Sequence, residues 1–362
     1  MEKQRKCSFL RAALSMTLAV ATLLALLAGC AVNPGQTDPQ TEATQETTLP
    51  KQEEIKEVDR NGDSALKILM VGNSFCYYYV EELYALLTER LPEGVQEVEI
   101  FNLYYSGCKV DQHFLWWMQK EANYQLFKVD ASGRTKMGGE KLWTLEEALA
   151  QGDWDYISLQ GTVSSGSYTN PDKLESTAKE IAQMAQHLLG RFHELYPKAQ
   201  LLWHRTWFSE VGRVLTSGYT YTEEDGPVYD AGMKWVCEYM CNEFDKDKPY
   251  DLKMVNSGPA WTKARELNKT RNLLPYGGLC ARLGYSSFGD LRANSGDGYH
   301  DGDIGGAQLL NAYVWYMTIT GNIDLAGSNY APVYKRSGVE YPLSAELIAM
   351  LKEAALSVFE TN

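Results

Sequence analysis

Hydroxyl, amide and glycine residues stand where several short apolar runs of this sequence end. If the runs are parallel strands, their carboxyl ends meet at one edge of a sheet, which is where sites form in open α/β proteins. Glycines there let a backbone N–H approach a reacting oxygen. Ser74 also opens a helix, where free N–H groups favour negative charge. The residues at these ends could therefore stabilise an oxyanion. They are Gly72-Asn73-Ser74, Ser106-Gly107, Gln160-Gly161, Thr206-Trp207 and Asn256-Ser257.

A base for such a site must come from the five histidines. His300 stands apart, because it lies in the glycine-rich segment Asp297-Gly298-Tyr299-His300-Asp301. An aspartate three residues before a histidine can orient it and stabilise its charge, although this spacing alone is common by chance. His204 ends a run and could line the cleft. His113 follows the second block and could line the site or stabilise a helix.

The elements that must position these residues alternate along the chain. Apolar runs typical of buried strands cover 65–71, 95–104, 154–160, 200–207 and 251–256, and a hairpin is expected within 124–141. Helical segments cover 80–91, 111–122, 145–151, 172–195, 228–244, 300–320 and 344–359. This alternation predicts an α/β fold, a three-layer α/β/α sandwich with a central parallel sheet of the flavodoxin-like kind. Because no break or repeat divides residues 65–362, we predict one domain there.

These blocks together resemble the SGNH (GDSL-type) hydrolases. The likeness lies in Gly72-Asn73-Ser74 after the first strand, a glycine after the second and a late Asp-x-x-His, and it spans essentially the whole domain. Within that superfamily the sequence is closest to a little-characterised branch of secreted bacterial proteins. The resemblance implies that Ser74 is the nucleophile, His300 the general base and Asp297 its orienting partner. It also implies that the N–H groups of Ser74 and Gly107 form part of an oxyanion hole.

One position departs from the family's pattern. Many members supply an asparagine from a Gly-x-Asn-Asp block after the third strand, whereas this chain has Gly161-Thr162-Val163-Ser164. We therefore assign the third oxyanion donor to the side-chain amide of Gln160. Possible substrate-lining residues are Asn73, His113, Trp207 and Trp261. No metal constellation is visible, and acyl transfer through a serine needs no cofactor.

The first 30 residues are typical of a secretory signal. Lys3, Arg5, Lys6 and Arg11 precede an apolar run over 12–27. The run ends in Leu27-Ala28-Gly29-Cys30, which resembles the lipobox of bacterial lipoproteins and predicts lipidation of Cys30. An uncleaved anchor over 12–32 is the alternative, since that length can span a membrane. Residues 31–64 are rich in Thr, Gln, Glu and Pro, which predicts a flexible tether.

Composition limits the partners. A formal net charge of −13 argues against nucleic acid, because phosphate binding needs a basic face. It also disfavours binding to an anionic membrane by charge alone, so membrane attachment is expected only through the lipid anchor. Five cysteines follow Cys30, an odd number that predicts no complete disulfide framework and favours buried thiols.

A lipid-anchored esterase on the extracytoplasmic face is expected to remove acyl groups, acetyl above all, from polysaccharide or cell-envelope glycan. The chain has nine tryptophans and 23 tyrosines, some of which could form sugar platforms. A lipase or thioesterase acting on acyl chains is the first rival. A catalytically inactive glycan-binding lipoprotein of the same fold is the second, and Val163 in place of the family's asparagine favours it.

Overall fold

The computed structural model describes residues 58–161, 173–213, 219–247, 249–285 and 294–360. The predicted signal segment, Cys30 and Val163 lie outside these residues. Within them, no helix is both long enough and apolar enough to cross a membrane. Residues 58–64 precede the first strand and are held against the residue before the third parallel strand, Asp155: the N–H groups of Arg60 and Asn61 donate to its carboxylate over 2.8 and 3.0 Å.

A seven-stranded sheet in the order β4-β3-β2-β1-β5-β6-β7 forms the middle of the fold. Strands β1, β2, β5, β6 and β7 are parallel, as expected. The predicted hairpin adds two antiparallel strands beside β2, a position where a two-residue turn suffices and no crossover helix is needed. The strands are β1 (Ala65–Gly72), β2 (Glu97–Tyr104), β3 (Gln125–Asp130), β4 (Gly133–Lys136), β5 (Tyr156–Gly161), β6 (Gln200–Arg205) and β7 (Lys253–Val255).

Helices cover both faces of this sheet, which gives the predicted three-layer sandwich. Along β1, Ile68 and Met70 face one apolar cluster and Leu69 and Val71 face another, as the two-residue period of a strand requires. The first layer contains α1 (Val80–Glu89), α6 (Ser257–Arg271), α7 (Ala307–Thr320) and α8 (Ala345–Glu360). The second contains α2 (Val110–Gln119), α3 (Leu145–Leu149), α4 (Leu174–Leu195) and α5 (Asp225–Tyr239).

Three expectations about elements were wrong. Helix α7 begins at Ala307 rather than at residue 300, because the glycines of 302–306 pack their backbone against another loop: a Cβ on Gly302 would lie 2.1 Å from the Ala281 carbonyl oxygen. His300 is therefore a loop residue. Helix α6 was not expected, and neither was the hairpin of β8 (Val333–Arg336) and β9 (Val339–Pro342).

The loop that leads to His300 depends on Gly296. Its φ is 74°, and an added Cβ would lie 1.8 Å from the Cys280 carbonyl oxygen. We expect Gly296→Ala to lower the free energy of unfolding by at least about 2 kcal/mol, measured by denaturant titration. Gly190→Ala is the matched control, because nothing lies within 4 Å of its added Cβ in α4. It should stabilise the protein by about 1 kcal/mol, and equal effects of the two changes would contradict the argument.

Candidate active site

Ser74 stands in a tight turn directly after β1. It begins a single 3₁₀ turn, Ser74–Cys76, and is 6% exposed. Asn73 caps this turn: its Oδ1 accepts from the Phe75 N–H over 3.0 Å, and its carbonyl oxygen accepts from the Cys76 N–H over 3.1 Å. Among the described residues, the Ser74 N–H has no hydrogen-bond acceptor. The cap thus fixes the turn and leaves this donor available.

The side chain of Asn73 also joins the ends of three strands. Its Nδ2 donates to the Cys108 carbonyl oxygen over 2.7 Å, in the loop after β2. Gln160, at the end of β5, donates from Nε2 to Asn73 Oδ1 over 2.8 Å and accepts the Asn73 N–H on Oε1 over 3.1 Å. Gly72 permits this arrangement, since a Cβ there would lie 2.6 Å from Gln160 Oε1. The loops after β1 and β2 and the end of β5 are held together by buried amide groups.

This arrangement changes what Gln160 is able to do. Its amide oxygen and one amide N–H are occupied by Asn73, so the carboxamide mainly positions the turn before Ser74. Only the second Nε2 hydrogen can serve as the third oxyanion donor. Gly107, in the loop after β2, is exposed with a φ of 69°, and a Cβ added there would meet open space.

Asp297 and His300 form a close pair. His300 Nδ1 lies 2.6 Å from Asp297 Oδ2, and Asp297 Oδ1 accepts the N–H groups of Tyr299 and His300 over 3.2 and 3.0 Å. Burial would raise the pKa of Asp297, but the hydrogen bond from the His300 ring, the charge of that ring and the two N–H groups outweigh it and lower the pKa to about 2. The carboxylate is therefore charged and fixes the ring with Nδ1 as the donor.

Asp301, on the other side of His300 in the chain, is in a different state. It is fully buried, and both its carboxylate oxygens lack a hydrogen-bond partner among the described residues. Burial raises its pKa well above the usual range. Asp297 is thus the charged partner of His300, and Asp301 is held uncharged in the interior.

The His300 ring lies against the turn that contains Ser74. Its centroid is 6.0 Å from that of Phe75 and 5.1 Å from that of Tyr78, and Tyr299 covers it at 3.9 Å. Nε2 is buried and makes no hydrogen bond to any described group. The structure therefore places the Asp297–His300 pair against the turn that begins at Ser74, from a segment more than 200 positions away in the chain, and no described hydrogen bond joins Ser74 to His300.

The two predicted substrate-lining tryptophans lie underneath the site. Trp207 is 1% exposed and stacks on Trp261 at 4.4 Å between ring centroids. Its Nε1 donates to the Tyr299 carbonyl oxygen over 2.8 Å, and Trp261 Nε1 donates to Asn311 Oδ1 over 2.9 Å. They support the loop that carries His300 and offer no exposed ring face to a sugar.

His113 is likewise an interior residue. Its Nδ1 lies 2.8 Å from the Tyr124 hydroxyl, the two rings stack in parallel, and burial lowers its pKa to about 3. Burial lowers the pKa of His204 to about 3 as well, and its Nε2 lies 3.0 Å from Ser257 Oγ. Both imidazoles are neutral at ordinary pH and belong to the packing of the sheet.

Sequence reasoning missed the residues that surround His300. Tyr78 and Tyr299 contact the ring of His300. The guanidinium group of Arg282 lies over the Tyr78 ring, and that of Arg213 lies over the Tyr299 ring. The only signal in the sequence was proximity, since Tyr78 follows Ser74 and Tyr299 precedes His300. The two arginines lie in loops whose positions depend on the folded chain.

Comparison with known proteins gives a family model that matches part of the chain and gives no activity. Residues 67–226 match the model of DUF4886, a domain of unknown function. A crystal structure of a DUF4886 family protein from Bacteroides uniformis is 21% identical in sequence and has a TM-score of 0.53. The alignment covers 81% of this chain and 94% of that chain. None of the curated proteins is similar enough to this sequence to count as a match.

Two further solved structures show weaker similarity. A putative GDSL-like lipase from Parabacteroides merdae is 18% identical, with 75% of this chain and 99% of that chain covered and a TM-score of 0.41. A catalytic mutant of an acetylxylan esterase from Geobacillus stearothermophilus is 13% identical, with 70% and 94% covered and a TM-score of 0.40. The predicted resemblance to a little-characterised family is borne out as a match of residues 67–226 to the DUF4886 model, and the chain has the predicted α/β sandwich fold.

Proposed function

We propose that this chain is a serine esterase that removes acyl groups, acetyl in particular, from a glycan. The Asp297–His300 pair, placed against the turn that holds Ser74, is the observation that carries the proposal. A fixed carboxylate, an imidazole with a free Nε2 and a hydroxyl at a capped turn are the parts that nucleophilic acyl transfer requires.

Each group has a defined part in the reaction. His300 Nε2 takes the proton of the Ser74 hydroxyl, whose oxygen attacks the ester carbonyl. The N–H groups of Ser74 and Gly107 and the second amide hydrogen of Gln160 stabilise the oxyanion that forms. His300 then protonates the leaving alcohol, and an acyl-serine remains. Water, deprotonated by His300, attacks this ester and releases the acid, which restores the Ser74 hydroxyl.

An exposed aromatic ring near these residues supports the choice of an acetylated glycan as substrate. Tyr105, in the loop that also holds Gly107, is 40% exposed and contacts Trp116 edge-on at 4.8 Å between ring centroids. An exposed aromatic ring of this kind can stack on a sugar. The buried tryptophans named above cannot take that part, so Tyr105 is the better candidate for a sugar platform.

The location is proposed from the sequence. The basic start, the apolar run and Leu27-Ala28-Gly29-Cys30 favour lipidation of Cys30 and anchoring at the extracytoplasmic face. Fractionation of cells that express the full chain tests this part. Cys30→Ser should lose its lipid and leave the membrane fraction, and retention of the variant there would point to the uncleaved anchor.

Two measurements test the esterase proposal: the release of acetate and the preferred length of the acyl group. The full chain should release acetate from acetylated xylan or another acetylated polysaccharide, and it should prefer p-nitrophenyl acetate to the decanoate. Preference for the decanoate without acetate release would favour the lipase or thioesterase reading. Binding of glycan by a folded protein that hydrolyses none of these esters would favour the inactive reading.

A further inference from the structure

Two arginines approach His300, each separated from its ring by one tyrosine. We propose that Arg213 and Arg282 recognise an oxyanion, a carboxylate or a phosphate, next to the scissile ester, so that the substrate is an acylated anionic glycan. This inference rests on the proposed esterase function and narrows its substrate class.

Arg282 packs against the ring of Tyr78. Its guanidinium carbon is 4.0 Å from the centroid of the Tyr78 ring and 4.5 Å from that of Tyr285, and the Tyr78 ring contacts His300 edge-on. The side chain is partly exposed. The two rings hold the planar group in place, and its several N–H donors allow it to bind a ligand beside the tyrosine.

Arg213 has the corresponding position on Tyr299. Its guanidinium carbon lies 3.8 Å from the centroid of that ring, which in turn covers the His300 ring. Nη1 donates to Ser209 Oγ over 3.0 Å, which fixes the direction of the group. A backbone hydrogen bond joins the segment before Arg213 to the loop that carries His300: the Glu210 N–H donates to the Gly298 carbonyl oxygen over 2.7 Å. Arg213 is thus fixed to the loop that carries His300.

The charges of these arginines are not balanced within the described part of the chain. Neither forms an ion pair with a described carboxylate, whereas Arg134 pairs with Glu81 and Arg265 pairs with Glu210 over 3.1 Å. Asp297 is occupied by His300, and Asp301 is buried with a raised pKa. Two partly exposed guanidinium groups near His300 therefore have no ion-pair partner among the described residues, and guanidinium groups of this kind bind carboxylate and phosphate groups.

The net charge of the chain makes the two arginines more informative about the charge of the substrate. A net charge of −13 opposes the approach of a polyanion. An enzyme for neutral glycans gains nothing from two unpaired cations beside its base. An enzyme for anionic glycans needs a local positive field to overcome the charge of the rest of the surface.

Matched substrates test the inference directly. Acetylated oligogalacturonate with free carboxylates should be deacetylated with a kcat/KM at least about tenfold above that of the same oligomer with methyl-esterified carboxylates. Arg213→Gln and Arg282→Gln should each reduce this preference on the order of tenfold, mainly through KM. Arg271→Gln, which removes an exposed arginine paired with Glu353, should keep the full preference. Equal rates on both oligomers with the full chain would overturn the inference and leave the esterase function intact.

A binding experiment separates this inference from the proposed function. The full chain with Ser74→Ala is titrated calorimetrically with deacetylated oligogalacturonate, with a glycerol phosphate oligomer and with neutral xylo-oligosaccharide. Tighter binding of the first indicates a carboxylate, and tighter binding of the second a phosphate. In either case the Arg213→Gln and Arg282→Gln changes should weaken it, and added salt should weaken it further. Binding of the neutral oligosaccharide that equals or exceeds both would overturn the inference, whether or not the protein hydrolyses esters.

Discussion

Ser74→Ala is expected to abolish ester hydrolysis and covalent labelling by a fluorophosphonate probe. The alanine has no oxygen to attack the carbonyl, and the remaining groups supply only binding and oxyanion stabilisation. In a well-characterised protease, loss of the nucleophile costs on the order of 10⁶ in kcat, and a loss of similar order is expected here. The measurement is p-nitrophenyl acetate turnover beside gel fluorescence of the labelled protein.

The loss must be separated from unfolding and from background esterase. Ser132→Ala serves as the matched control, because Ser132 is exposed in the β3–β4 hairpin and its described hydrogen bonds go to Asp130. It should retain full turnover and labelling. His300→Ala should behave as Ser74→Ala does, with the same thermal unfolding midpoint as the parent within a few degrees. Normal labelling of a folded Ser74→Ala protein would place the reactive serine elsewhere.

Local patterns predicted the parts of the site that depend on neighbours in sequence. The apolar run that ends in Gly72-Asn73-Ser74 predicted a strand and a turn, and both are present at those positions. The Asp-x-x-His spacing predicted the Asp297–His300 contact, because three residues of loop are enough to bring the two side chains together. These predictions needed no knowledge of the rest of the fold.

The other parts depend on contacts between distant segments. Gln160 was expected to face an oxyanion, but it bonds to Asn73, which is 87 positions away. Trp207 was expected to line the substrate site, and only the packing of α6 under the sheet explains its stacking on Trp261. Helix α6 itself gave little signal, since Gly258 and Pro259 stand in its first turn and its apolar residues form no continuous stripe.

The arginine positions show the same limit. Arg213 and Arg282 come from separate loops, and nothing in the neighbouring residues marks either as different from the other arginines. Their relation to His300 exists only through the rings of Tyr299 and Tyr78. The sequence therefore indicated the candidate catalytic residues better than any residue that would recognise the substrate, because Ser74 follows a strand and Asp297 lies close to His300 in the chain, whereas the two arginines come from loops.

Asp297→Asn is expected to reduce kcat by on the order of 10⁴ while the protein stays folded, by analogy with the same change in a serine protease. The carboxylate accepts the Nδ1 proton of His300 and stabilises the positive ring that forms during attack. An asparagine amide can turn its N–H₂ toward Nδ1, which favours the wrong tautomer and places the proton on Nε2. Nε2 then cannot accept the Ser74 proton.

The pH dependence and a neighbouring substitution make this prediction specific. Because the pKa of Asp297 is lowered to about 2, its carboxylate is ionised throughout the range from about pH 5 to 9, so protonation of Asp297 itself should contribute no pH dependence to the activity of the parent in that range. Asp301→Asn is the matched control, since Asp301 is buried and uncharged and an amide resembles the protonated acid. It should keep kcat within about tenfold of the parent. A larger loss for Asp301→Asn than for Asp297→Asn would mean that Asp301, and not Asp297, is the residue that orients His300.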